Sequence, residues 1–211
     1  MRLETSIAII SLSLIVVPAA VAGSVEKIRN QKVVATEETL APGETASLPN
    51  PIPSIIVYMS GGSAEIIPAH GKPHSELVKR GETVFLSAGE GTIKNQGSST
   101  LSFARVEFLT AGNPETWGMS GLSPNYKMLI EDNYARAYDI KIPAQTFEPQ
   151  HTHHDRVVVS LSGAKLEHIL PDGSKQPSTL KTGEIVWRLG ATHIGHNMGQ
   201  TDLWVIAIEP K

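Results

Sequence analysis

Six of the eight histidines fall between residues 151 and 196. The densest group, His151-Thr152-His153-His154, stands directly before a β-branched run over residues 156–161. In an extended segment side chains alternate with period two, so His151 and His153 share a face and His154 points away. Two imidazoles side by side are the start of a transition-metal site. His193 follows a second apolar run at 183–187, with His196 three residues and Asn197 four residues beyond it. Asp155 has the parity of the histidine pair, which makes it a candidate fourth ligand or acid–base group. His196 is a candidate pocket acid or base, or a group behind the ligands. Arg156 and Arg188 are candidates to dock a carboxylate bidentately, although Arg156 can instead neutralise Asp155. For His168 a place in the wall of the fold is expected, and for His70 and His74 a solvated turn. Core packing is expected for Trp187 and Phe147.

Little else in the chain competes for chemistry. Its 211 residues contain no cysteine, which removes disulfides, thiol nucleophiles, Cys-based zinc sites and iron–sulfur clusters. The net charge of −3 provides no basic footprint for nucleic acid. No P-loop or dinucleotide fingerprint is present.

The elements that must position these residues are repeated. Sliding the chain by 102 residues aligns 35–109 with 137–211 without a gap, and 15 of 75 positions are identical. Ordinary composition would give ~4 or 5 by chance. Val57, Gly61, Gly81-Glu82, Asn95, Gly97 and Glu107 fall on Val159, Gly163, Gly183-Glu184, Asn197, Gly199 and Glu209. Short β-branched runs punctuated by Gly, Pro, Asn and Ser predict an all-β chain, a sandwich or small barrel in each copy. The segment 203–208 is apolar almost throughout, as expected of a strand covered on both faces at an interface between the copies. Pro171-Asp172-Gly173-Ser174 predicts a hairpin turn with Gly173 at positive φ. The expected organisation is an address at 1–22, a first copy at 23–112, a linker at 113–133 and a second copy at 134–211. Residues 126–132 are expected to add a helical turn or a lead-in strand.

The His-x-His pair, the glycines Gly163, Gly183 and Gly190, and the His193-x-x-x-Asn197 pattern resemble the two motifs of the cupin superfamily. The resemblance implies two tandem jelly-roll β-barrels, a bicupin, with one divalent metal (Fe, Mn, Zn, Ni or Cu) held by His151, His153 and His193. The sequence departs from the pattern where Arg156 stands at the family's glutamate position and Arg188 replaces the proline of the second motif. At the offset of 102, Pro49, Pro51 and Gly91 replace the three histidines in the first copy, so that copy offers no equivalent donors.

Two functions suit these residues. One is a metal-dependent enzyme, an oxygenase, decarboxylase, lyase or isomerase, acting on a small anionic metabolite drawn to an uncompensated metal charge. The other is a non-catalytic binding module for a metal or small ligand. In either case the first copy can act as a structural partner or as a surface for homo-oligomerisation. The apolar run 7–17 followed by Ala20-Val21-Ala22 reads as a secretory signal; an uncleaved anchor is the competing reading, but the run falls short of the ~20 residues that cross a bilayer. The expected location is periplasmic or secreted, with no stable membrane insertion after cleavage. Mass spectrometry of the exported protein should find a chain beginning at Gly23, and retention of Met1 would contradict the export reading.

Overall fold

The computed structural model describes residues 23–48, 52–68, 71–89, 91–112 and 123–211. The address at 1–22, Pro49, Pro51, His70 and residues 113–122 of the expected linker lie outside the described residues. Eighteen strands and no helix are found among those described. The first nine are β1 (Gly23–Arg29), β2 (Val33–Leu40), β3 (Thr45–Leu48), β4 (Ser54–Tyr58), β5 (Gly62–Pro68), β6 (His74–Val78), β7 (Thr83–Leu86), β8 (Gly91–Asn95) and β9 (Leu101–Phe108). The second nine are β10 (Tyr126–Glu131), β11 (Ala135–Ile142), β12 (Phe147–His153), β13 (Arg156–Ser162), β14 (Lys165–Ile169), β15 (Lys175–Thr179), β16 (Ile185–Arg188), β17 (Ala191–Asn197) and β18 (Leu203–Pro210).

The two sets have one topology. Five strands in the order β1-β2-β9-β4-β7 face four in the order β3-β8-β5-β6, and β10-β11-β18-β13-β16 faces β12-β17-β14-β15 in the same way. Each unit is therefore a jelly roll of two separate sheets rather than a continuously bonded barrel. The registers carry the 102-residue offset: Ala35 opposes Val106 as Ala137 opposes Ile208, and Ser54 opposes Leu86 as Arg156 opposes Arg188. Even a bulge recurs, between Glu26 and Ile28 in β1 and between Met128 and Ile130 in β10. Residues 126–131 are thus the first strand of the second unit and the counterpart of β1, not a connector. The Asn95 and Asn197 amides repeat as well, each donating to two carbonyls and accepting the N–H two residues on. Gly173 takes φ +82° in the β14–β15 hairpin as its turn chemistry requires.

Side-chain alternation divides the core into three. One face of each five-stranded sheet turns inward, with Ile56, Tyr58 and Phe103 in the first unit and Tyr138, Val158 and Val205 in the second. The other faces pack against each other through Val33, Ile55, Val57, Val106 and Phe108 on one side and Val157, Val159, Leu161, Ile206 and Ile208 on the other. Trp187 and Trp204 pack at the edge of this shared layer. Strand β18 is buried on both faces, which is why its sequence shows no alternation.

Because the shared layer belongs to both units, they should unfold together. Ile206→Ala, at a fully buried position, is expected to cost about 2–5 kcal/mol in a single urea transition; two separate transitions would show that the units are independently stable.

Candidate metal centre

The strands β12 and β17 run antiparallel and place His151 directly opposite His193. Side-chain parity then puts His151, His153 and His193 on the inner face of the second unit, all buried, while Thr152 and Ile194 between them are more exposed. One nitrogen from each ring lies within 4.8 Å of the others, and the Nε2 atoms of His151 and His153 are 2.8 Å apart. The Pro149 carbonyl lies 2.7 Å from His151 Nδ1. It accepts that nitrogen's proton, leaving the Nε2 lone pair directed into the cluster. Desolvation lowers the pKa of all three imidazoles, that of His193 to about 3, and the Arg156 charge adds to the effect. Three neutral, buried, convergent imidazoles are the donor set a divalent transition metal requires. The residues fit the ion.

Three residues that the histidine pattern did not reveal complete the site. The Tyr126 hydroxyl, from β10, lies 2.9 Å from His153 Nε2 and 3.3 Å from His151 Nε2. Burial raises its pKa well above 10, so the phenol keeps its proton. His168, expected in the wall, is there on β14, but it faces inward and stacks on His193 at 4.5 Å between ring centroids. Glu148, on β12, is only 2% exposed. Its Oε2 lies 3.6 Å from His151 Nε2. Burial raises its pKa to about 7, with the Ser123 hydroxyl and the Arg156 charge pulling in the opposite direction. Glu148 was hidden because it stands three residues before His151, an odd spacing that assigns it to the outer face of a regular strand. Behind His153, the Glu209 carboxylate lies 3.9 Å from Nδ1 and accepts the His154 N–H.

A cavity of about 70 Å³ adjoins the cluster, lined by Glu148, His153, His168, His193, Arg156 and Arg188 together with apolar residues of both sheets. Arg156 and Arg188 are ladder partners on β13 and β16. Arg156 is buried and spends Nη1 on the carbonyls of His154 and Leu189, and no salt bridge to it occurs among the described residues. Arg188 bonds Ser178.

Two candidates from the sequence lie away from this cavity. The Asp155 carboxylate accepts the N–H of Gly190 at 2.7 Å, so it ties the β12–β13 connection to the turn before β17. The chain bends after His153, and the parity that would have brought Asp155 inward stops there. His196 is on the outer face of β17, stacked 3.8 Å from Phe147. A spacing of three from His193 puts the two histidines on opposite faces. Phe147 itself is 60% exposed rather than core. His154 points away from the pair, as expected. His74 is exposed.

The first unit holds no such cluster among its described residues. Leu48 opposes Gly91, the ladder place that His151 and His193 occupy in the second unit, so the counterpart of His151 by pairing is Leu48 rather than Pro49. Ile66 stands for His168. Arg105 bridges Glu38 at 3.2 Å and Glu107 at 2.9 Å and consumes the charge there internally.

No family model matches the sequence, and no curated protein does. Solved structures do. A cupin 2 conserved barrel domain protein from Leptotrichia buccalis superposes with a TM-score of 0.61 at 14% identity, covering 93% of this chain and 92% of that one. AerE from Microcystis aeruginosa gives a TM-score of 0.65 at 16% identity over 94% and 95% of the two chains. Oxalate decarboxylase from Bacillus subtilis gives 0.61 at 12% identity, with 85% of this chain and 68% of that one covered. The fold is the jelly roll of cupin-domain proteins.

The imidazole shifts set a pH dependence for the metal-free protein. His151, His153, His154, His168 and His193 all have lowered pKa values. As pH falls through ~6.5 the unfolded chain takes up protons that the fold refuses, and stability drops. Glu148 and Glu209, with raised values, act in the opposite sense between about pH 7 and 4.5, but five imidazoles outnumber them. Thermal melts should show a lower midpoint at about pH 5 than at about pH 7.5; a flat or inverted profile would mean that the fold carries charged imidazoles.

Proposed function

We propose that this chain is an exported metal-dependent enzyme of cupin type, holding one divalent transition metal in its second unit and acting on a small carboxylate anion. His151, His153 and His193 are the metal ligands, and the first unit is a degenerate copy that covers one face of the second. The observation that carries this reading is Arg156: a buried guanidinium without a salt-bridge partner among the described residues, in the wall of the cavity that the histidines line. A buried cation without a salt-bridge partner is costly unless an anion compensates it, and the fork geometry of arginine suits a carboxylate. The Arg188 guanidinium adds a second positive charge across the ladder.

A bound divalent cation would act as a Lewis acid on a coordinated oxygen and add to the positive field of the pocket. The protein's own residues do the rest. Arg156 and Arg188 orient the carboxylate, while Leu166, Leu180 and Val158 in the lining exclude water. Tyr126 holds a proton 2.9 Å from the His153 nitrogen. The cavity volume of about 70 Å³ admits a ligand of a few heavy atoms, the space of a small number of waters, and so confines the substrate to short carboxylates. That a protein of the same fold is an oxalate decarboxylase agrees with this size and charge. The sequence of residues 1–22, an apolar run followed by Ala20-Val21-Ala22, supports export.

Metal analysis of purified protein should find one divalent ion per chain, lost in His153→Ala and kept in His74→Ala. In a screen of short mono- and dicarboxylates for carbon dioxide release or oxygen uptake, Arg156→Leu should keep the metal and weaken carboxylate binding by about 2–5 kcal/mol. Carboxylate binding without turnover of any compound would favour a non-catalytic binding module, and two ions per chain would overturn the assignment of a single site.

A further inference from the structure

We propose that Glu148 is the fourth protein ligand of the metal, delivered to the histidines by a β-bulge that the described residues of the first unit lack. The proposal rests on the three-histidine reading above. In a regular strand Glu148 and His151, three residues apart, would face opposite ways. Here Glu148 pairs with Gly195 and His151 with His193, so Pro149 and Gln150 together oppose the single residue Ile194. The extra residue resets the alternation. Phe147, Pro149 and Gln150 are exposed while Glu148, His151 and His153 are all buried. In the first unit β3 pairs with β8 without a break from Thr45 to Leu48.

The bulge comes with a matched exchange of volumes. Ala46 opposes Ile93 in the first unit, and Glu148 opposes Gly195 at the same ladder place in the second. A Cβ on Gly195 would lie 2.8 Å from Glu148 Oε2, so the missing side chain is what seats the carboxylate. The seat is next to the histidines: Oε2 is 3.6 Å from His151 Nε2. Donor atoms bonded to one tetrahedral ion at ~2.0–2.2 Å stand ~3.3–3.6 Å apart. The other oxygen, Oε1, is buried and has no hydrogen-bond partner. A buried carboxylate oxygen left without a donor, beside a nitrogen whose lone pair points inward, is short of a cation. Arg156, which stands where the resemblance places the family's glutamate, does not reach it within salt-bridge distance. The carboxylate therefore enters the site from an earlier position in the chain, and the vacated place carries the anion-docking arginine.

The test uses the signal-free full chain stripped of metal and titrated with Mn(II), with free ion read by electron paramagnetic resonance and bound water by proton relaxation. Glu148→Gln should weaken Mn(II) binding at least tenfold and raise the relaxivity of the bound ion, because water takes the carboxylate's place; its circular dichroism should stay that of the wild type. Gly195→Ala, which displaces the carboxylate, should shift both readouts in the same direction. Wild-type affinity and relaxivity in Glu148→Gln would overturn the proposal and leave the three-histidine site standing. Stoichiometric binding by His153→Ala would instead overturn the underlying site. Should Glu148→Gln not fold, a crystal structure of the Zn-loaded wild type decides: a Glu148 oxygen at ~2.0–2.2 Å from the ion supports the proposal, and a water in its place overturns it.

Discussion

Strands β13 and β18 have no solvent face. Val157, Val159, Ile206 and Ile208 pack against the first unit, while Val158, Val205 and Ala207 fill the second from within. A register slip of one residue exchanges the faces of a strand, and here it would drive Arg156 into an apolar layer formed by both units. The cost of that burial holds β13 in place, and with it β16 and the arginine pair across the ladder. The histidine cluster stands on the other sheet, so its geometry relative to Arg156 depends on the packing between the sheets. The first unit contributes no donor to the cluster, but it supplies the surface that makes this register obligatory.

Within that frame the histidine cluster is also an electrostatic arrangement. Burial keeps the imidazoles neutral at neutral pH, which preserves their lone pairs. Arg156 and Arg188 add positive charge to the same cavity, and Glu148 and Glu209 answer it from the edges. The balance favours the neutral, unprotonated form of the imidazoles. Tyr126 belongs to this balance too, as a neutral donor held by desolvation in its protonated form.

The comparison between units shows how few changes separate the three-histidine cluster from the interior of the first unit. The strand order, the paired asparagines and the leading bulge are the same in both. The differences gather at facing positions: Ala46 and Ile93 against Glu148 and Gly195, Leu48 and Gly91 against His151 and His193, Ile66 against His168. At one of these places the volumes are exchanged across the ladder, Ala46 and Ile93 against Glu148 and Gly195; at the others apolar or small residues give way to imidazoles. In the first unit Arg105 pairs with Glu38 and Glu107 within the unit.

The all-β class, the repeated unit, the doubly covered last strand and the His151, His153 and His193 set were legible in the sequence, because alternation and turn chemistry are local and a repeat is visible by alignment. Phe147 and Asp155 depart from the expectation for a related reason: the alternation rule assumes that a strand continues, and the chain bulges after Glu148 and bends after His153. Only the fold could show that Glu148 and His151 share a face, that Tyr126 reaches back from the first strand of the unit, and that His196 turns outward beside Phe147. Those facts depend on which strand lies opposite and on where the ladder skips a residue. Neither is a property of the segment itself. Sequence periodicity chooses the face of a residue up to the nearest irregularity, and hydrogen bonding to a distant strand decides where that irregularity falls.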